Sequence, residues 1–189
     1  MNTIVSLAFL FVIFGLTIYA ITIFNGLITL KNDIAKAWAN IDILLKQRHD
    51  ELPKLFDVCK GYMDFERDTL QKITQARSLY SQAVSLDQKA QADQSMTSAL
   101  RGFFAVAENY PQLKANDNFM RLQGRITDLE SQIADRREFY NDSVNTFNIR
   151  IQEMPDAFVA SFMNLTPRPM FKVEEADTAD VKMSFGAAG

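Results

Sequence analysis

The chain has 189 residues, with 20 lysines and arginines against 23 aspartates and glutamates, and none of these charges falls within the first 30 residues. One apolar block followed by a charged, periodic region excludes a disordered chain and a multi-pass membrane protein. The single cysteine and single histidine exclude a disulfide scaffold and a structural zinc site, and the net charge of −3 argues against nucleic acid as a partner.

The first predicted element is a membrane-spanning helix within an anchor of residues 1–30. Residues Thr3–Phe24 are apolar apart from a few hydroxyl-bearing side chains, and at about 1.5 Å per residue they cross a hydrocarbon core of roughly 30 Å. A cleaved signal peptide is the alternative, but no basic residue precedes the run, which is longer than such peptides have. We therefore expect the lipid bilayer to be a partner.

The orientation of the anchor follows from the basic residues around it. None precedes the span, whereas Lys31, Lys36, Lys46 and Arg48 follow it. Because basic residues favour the cytoplasmic side, the sequence predicts a single-pass membrane protein with its N-terminus outside and its C-terminal domain in the cytoplasm.

Beyond the anchor the helical pattern continues without a linker. Apolar residues recur three, four and seven apart from Ile34 onwards, which predicts that the membrane helix extends into water as far as Glu51. Pro53 suits the first turn of a helix, so a second helix is expected from Pro53 to about Leu86. Cys59 falls on its inner face and is interpreted as a small core residue.

The next elements complete a predicted bundle over residues 31–155. A polar stretch, Asp87–Gln94, is expected to connect to a third helix that ends before Pro111. Asn116 and Asp117 offer N-cap chemistry for a fourth helix, whose apolar positions alternate three and four apart up to Pro155. The predicted fold is all-α, an N-terminal transmembrane helix that continues into an elongated antiparallel, up-and-down four-helix bundle.

Residues 156–189 have a different character and predict a short helix and an extended tail. Pro167 and Pro169 prevent a regular helix, and the alternation in Val181–Phe185 is strand-like. The tail is more apolar than disordered segments are, so it should dock on a helical face. We expect that face to belong to a neighbouring chain in preference to its own.

Three stretches of the sequence resemble the LemA family. The first runs from Ala37 to Asp50 and is followed by Leu52–Leu55, Lys60–Tyr62 and Glu66. The second runs from Glu108 to Asn116 and is followed by Phe119 and Leu122–Gln123. The third runs from Arg137 to Asn141 and is followed by Val144, Phe147–Asn148 and Pro155. Gln47 departs from the pattern, since the family more often has a second basic residue there. The resemblance implies a bacterial inner-membrane protein with one N-terminal helix and a cytoplasmic helical bundle, of poorly defined molecular role.

No motif in the sequence points to catalysis. It lacks the Glu-x-x-His pairs of di-metal bundles, a phosphate-binding G-x-x-x-x-G-K-[ST] loop and a G-x-S-x-G elbow. We therefore expect no catalytic, cofactor or metal site and no enzyme activity, and interpret His49 as an exposed or capping residue.

The charged residues of the bundle are interpreted as structural. The carboxylates Glu66, Glu108 and Glu130 are expected to meet Arg48, Arg77, Arg101 or Arg137. From these residues we predict a structural polar network of Glu66, Glu108 and Arg137.

Two function classes remain. The first is a non-enzymatic scaffold that self-assembles into a homo-oligomer at the inner membrane and clusters or shapes it. The second is an adaptor whose bundle binds another membrane protein, such as a protease, kinase or transporter. Trp38 lies about 21 Å beyond the span, too far for an interfacial residue, and should pack in the bundle or between subunits. The candidate assembly contacts are Trp38, Phe171, Val181, Met183 and Phe185.

Overall fold

The computed structural model describes residues 2–62 and 67–171, and all regular structure within those ranges is helical. The elements are α1 (Asn2–Cys59), α2 (Arg67–Gln82), α3 (Leu86–Ala107), α4 (Pro111–Lys114), α5 (Asp117–Arg150) and α6 (Asp156–Phe162). The predicted all-α fold is confirmed: a long N-terminal apolar helix packs on an antiparallel helical bundle formed by α1, α2, α3 and α5.

Helix α1 is a single helix of 58 residues, about 87 Å long, that combines the apolar segment with one wall of the bundle. The side chains of the apolar segment are largely exposed, and the helix has the length and composition needed to cross a membrane. The hydroxyl groups of Thr17 and Thr22 donate hydrogen bonds to the carbonyls of Ile13 and Ile18, at 2.8 and 3.0 Å. These two hydroxyl groups are thereby satisfied without water.

The predicted break at Pro53 is wrong. Pro53 lies inside α1, which continues to Cys59, so the first helix is two turns longer and the second begins at Arg67. Leu52, Leu55 and Cys59 are fully buried, and their packing outweighs the hydrogen bond that proline removes from a helix interior. Cys59 is a core residue as expected, but on α1.

The predicted connection at Asp87–Gln94 is also wrong, because these residues belong to the first turns of α3. Ser85 is the N-cap: its hydroxyl accepts a hydrogen bond from the Gln88 amide, and the Gln88 side chain accepts one from the Ser85 amide. This capping box begins α3 two turns earlier than the apolar pattern alone suggested.

The start of α5 agrees with the sequence prediction. The side-chain oxygen of Asn116 accepts hydrogen bonds from the amides of Asn118 and Phe119, at 2.9 and 3.2 Å. The apolar stripe of α5, including Ile126, Leu129 and Ile133, faces the core and is fully buried. Helices α1 and α5 run antiparallel, so Ile23 and Leu27 lie near Phe147 and Ile151, close to the membrane segment.

After α6 the chain reverses and returns along its own bundle. Asn164 adopts a left-handed conformation with φ of 51°. The amide of Leu165 donates to the Ala160 carbonyl at 3.0 Å and that of Asn164 to the Ser161 carbonyl at 3.1 Å. This Schellman arrangement ends α6 and turns the following segment, residues 164–171, back along α5. We call this segment the arm.

Candidate functional site

Among the described residues, the buried charged side chains are Arg48 and Asp93, only 2% and 1% exposed. Arg48 lies on α1 between core residues Leu45 and Leu52, and Asp93 lies on α3. Arg48 Nη2 donates to Asp93 Oδ1 at 2.5 Å. A salt bridge at this depth ties α1 to α3 and must be fully paired to be tolerated.

The pair belongs to a larger group, the ionic cluster, formed by Arg48, Asp93, Thr97, Glu130 and Arg137. Arg137 of α5 donates to the second oxygen of Asp93, and Arg48 also donates to Glu130. Thr97 bridges the two halves, accepting from Arg48 at 3.2 Å and donating to Glu130 at 2.9 Å. Two guanidinium groups face two carboxylates, so their formal charges cancel while α1, α3 and α5 are joined.

Opposing effects act on Asp93. Burial raises the pKa of its carboxyl group, and the Arg48 and Arg137 guanidinium groups oppose that rise. The ionised form therefore depends on both arginines being in place. The cluster can hold α1, α3 and α5 in register. Its charged groups pair with one another, but the buried Arg137 Nε has no hydrogen-bond partner among the described residues.

The arm covers the outer side of the ionic cluster. Phe171 is fully buried; its ring lies 5.1 Å from the Arg137 guanidinium carbon and 6.2 Å from the ring centre of Trp38. Trp38 also meets Tyr140 edge to face at 6.1 Å. The Phe171 ring shields one face of the half-buried Arg137 guanidinium, a favourable cation–π arrangement.

Polar side chains of α5 hold the arm in place. Asn141 donates to the Phe171 carbonyl at 3.0 Å and accepts from the Phe171 amide at 2.7 Å. Asn148 makes the same pair of bonds with Arg168, at 2.9 and 2.8 Å, and the Tyr140 hydroxyl donates to the Pro169 carbonyl at 3.1 Å. In this extended segment, backbone groups of Arg168, Pro169 and Phe171 are thus satisfied by side chains of α5.

The arm is the part of the predicted tail that the structure describes, and residues 172–189 lie outside the described residues. Through Phe171 the arm packs on its own bundle, because Asn141 and Asn148 stand seven residues apart on α5 and present matching amide groups. Trp38 and Phe171, predicted as assembly contacts, pack against each other within the chain, where Phe171 is buried and Trp38 is partly buried. Val181, Met183 and Phe185, and the strand-like pattern they form, lie outside the described residues.

The predicted structural polar network is only partly found. Arg137 lies in the ionic cluster, and Glu130 pairs with Arg48 as the sequence suggested. Glu108 does not belong: its side chain is 62% exposed and pairs with Lys114 at the surface at 2.9 Å, because α3 ends just before it. Glu66 lies outside the described residues.

Asp93 was missed from the sequence, and His49 was misinterpreted. The signal for Asp93 was the Ser85-x-x-Gln88 capping box, which places it two turns inside α3 rather than in a loop. His49 is neither exposed nor a cap. Its Nε2 accepts a hydrogen bond from Arg77 Nε at 3.2 Å, and its ring lies 5.3 Å from Tyr80, so it joins α1 to α2.

In residues 2–62 and 67–171, no group of three or more His, Cys, Asp or Glu side chains is arranged to hold a metal ion. The fold and the ionic cluster define a class: a membrane-anchored helical bundle locked by buried charges. The chain belongs to the LemA family, whose model matches residues 37–185.

Comparison with individual proteins supports this assignment. The chain is similar to protein LemA of Metamycoplasma hominis, with 31% identity over 162 residues that cover 85% of this chain and 74% of the relative. It is also 35% identical over 69 residues to the magnetosome protein MamQ 2 of Paramagnetospirillum magneticum, covering 36% of this chain and 25% of that protein. Several residues on which the family resemblance rests, Arg48, Arg137, Tyr140, Asn141 and Asn148, form the ionic cluster or hold the arm.

Proposed function

We propose that the protein is a non-enzymatic scaffold, anchored in the inner membrane, that self-assembles into a homo-oligomer. The observation that carries the proposal is the continuity of α1, which passes from the apolar segment through the bundle as one helix. A bundle joined to its anchor without a linker keeps a fixed direction relative to the membrane. Neighbouring copies in the same membrane then have parallel bundles and can contact each other through the sides of those bundles, which favours closed, symmetric contacts.

The surface of the bundle supports this proposal. Outside the membrane segment, large apolar side chains stand exposed on several helices, among them Ile43 of α1, Leu79 of α2, and Phe139 and Ile149 of α5. In contrast, the charges of the ionic cluster are paired with one another within the chain. The exposed apolar side chains are therefore the surface most suited to lateral contact.

The test is the mass of the full-length protein reconstituted in lipid nanodiscs. We expect a mass of several chains, reduced by Phe139→Glu but not by the neighbouring exposed substitution Glu138→Gln. Circular dichroism should show equal helical content and melting temperature in both variants, because both side chains are exposed. A mass of one chain for the unsubstituted protein would contradict self-assembly.

A second candidate function is an adaptor for another membrane protein. An open groove of about 630 Å³ runs between α2 and α3 and is lined by Ala76, Leu79, Ser98, Ala99, Gly102 and Val106, among others. Its small residues leave room for a segment of a partner. A single-chain mass together with reproducible cross-linking of one membrane protein through this groove would favour the adaptor.

A further inference from the structure

The end of the bundle beside the membrane segment carries large exposed apolar side chains. Phe158 and Phe162 lie four residues apart on α6 and so share a face; they are 76% and 87% exposed. Met154, just before α6, is 81% exposed. On the other side of the helix, Ala160 is buried in the core that includes Ile23 and Leu27. The largest apolar side chains of α6 thus face away from the core.

These side chains lie next to the membrane segment of α1. Residues of both helices line an apolar groove of about 320 Å³, namely Thr17, Ala20, Ile21, Phe24, Phe158, Val159 and Phe162. On α1 the stretch from Thr17 to Phe24 is the last two turns of the apolar segment, about 10 Å long. The outward face of α6 is therefore continuous with the surface of the anchor.

The depth of α6 can be read from the sequence of α1. The apolar segment from Thr3 to Phe24 is about 33 Å long, enough for one hydrocarbon core, so one edge of that core falls near Phe24. Phe158 and Phe162 then lie on the lipid side of this edge, within about 10 Å of it. This is the depth to which interfacial helices insert their apolar faces.

The charged residues of this region lie on the other side of the same edge. Arg150 pairs with Asp156, the first residue of α6, through Nε at 2.6 Å. The Arg150 guanidinium packs so close to Gly26 that a Cβ there would lie 3.3 Å from its Nη atoms. An ion pair at the level of Gly26 and aromatic rings at the level of Thr17–Phe24 match the polar and apolar layers of a bilayer.

We propose that α6 is a second membrane contact, which inserts Phe158, Phe162 and Met154 into the acyl chains of one leaflet beside the anchor. The partner of this surface is the lipid bilayer itself, whether or not the chain self-assembles. The protein then occupies a larger cross-section in that leaflet than in the opposite one, because only α1 crosses both.

The test uses the full-length chain with single added cysteines that carry an environment-sensitive nitrobenzoxadiazole label. The test positions are Phe158→Cys and Phe162→Cys. Ile21→Cys, on the anchor, is the lipid-exposed control, and Phe139→Cys, on α5, is the control outside the membrane. The native Cys59 is fully buried, so the unsubstituted protein should take up little label. Each variant is reconstituted in phosphatidylcholine–phosphatidylglycerol vesicles that contain nitroxide-labelled acyl chains.

We expect the nitroxide lipids to quench the labels at positions 158 and 162 nearly as strongly as that at position 21, and several-fold more than that at position 139. A circular dichroism spectrum equal to that of the unsubstituted protein establishes that each variant is folded. Labels at positions 158 and 162 should also give the same result as each other, because both side chains lie on the same face of α6. Quenching no greater than at position 139, together with quenching by aqueous iodide, would overturn the proposal. Protection from both lipid nitroxide and iodide would also overturn it, because a second protein surface would then cover α6.

Discussion

Asp93 is the residue on which the bundle depends most directly. Its carboxylate joins Arg48 of α1 to Arg137 of α5, and it is almost completely buried. Removing one member of a buried ion pair leaves its partners charged and unpaired, which costs about 3–5 kcal/mol. We therefore expect Asp93→Ala to lower the free energy of unfolding of the full-length protein by that amount, measured by urea denaturation in mild detergent.

The matched control is Glu108→Ala. Glu108 makes a salt bridge with Lys114 at the surface, and such pairs contribute less than about 1 kcal/mol. If the two substitutions have equal effects, the ionic cluster does not stabilise the bundle in the way that its geometry indicates.

Cys59 provides a pH-dependent prediction. Burial raises the pKa of its thiol from an ordinary value of 9.0 to about 11. Between these values the folded chain keeps a proton that the unfolded chain releases, so raising the pH favours unfolding. The stabilising contribution is fully present below pH 9 and is lost as the pH rises through about 11.

The measurement compares urea unfolding of the natural chain and of Cys59→Ala at pH 8 and near pH 11. We expect the natural chain to lose more free energy of unfolding between the two pH values than the variant does, because only it carries this thiol. Identical losses would show that the thiol titrates alike in both states.

At the scale of single residues, the sequence predicted structural roles for Arg48 and Arg137 but not for Asp93, the acid that joins them. It placed Arg137 in a structural polar network and named Glu130 as a possible partner of Arg48. The apolar pattern did not reveal Asp93, because a buried charge in a polar stretch has no apolar periodicity, and the capping box that places it on α3 does not show that it is buried. Its burial depends on contacts with α1 and α5, which are distant in the chain.

At the scale of elements, the long helices were predictable and their ends were not. The three- and four-residue spacing in α5 and the Asn116 cap gave that helix its correct start. The prediction at Pro53 was wrong because proline can occupy the first turn of a helix or, at a cost in hydrogen bonding, its interior. The packing of Leu52 and Leu55 decides between these two positions. The arm was anticipated as an apolar docking segment, but the choice of docking surface depended on tertiary contacts of Asn141 and Asn148.

The arm yields a prediction for the bundle. Phe171 is buried against Trp38 and Arg137, and truncating a buried phenylalanine costs about 3–5 kcal/mol. Phe171→Ala should therefore lower the melting temperature, whereas Met170→Ala, at the preceding, more exposed position, should have a small effect.

Circular dichroism and mass measurement on the same samples separate this role from assembly. We expect Phe171→Ala to leave the mass in nanodiscs unchanged. A smaller mass with an unchanged melting temperature would show instead that the arm contacts a neighbouring chain.

At the scale of the whole molecule, the orientation in the membrane is a prediction from the positions of the basic residues. No lysine or arginine precedes the apolar segment and several follow it, which favours a cytoplasmic bundle. A fluorescent protein fused after Gly189 should therefore be bright and an alkaline phosphatase fused there inactive. The reverse pair of results would place the bundle outside the cytoplasm.

The unbroken course of α1 has a mechanical consequence for the whole molecule. From Asn25 to Cys59 the helix extends about 52 Å beyond the apolar segment, and no hinge separates the two parts. Membrane helices tilt by about 20° on average and change their tilt with bilayer thickness; through a rigid rod, a tilt of that size displaces the far end of the bundle by about 18 Å. A change in the tilt of α1 is therefore accompanied by a larger lateral displacement at the far end of the bundle than at the membrane surface.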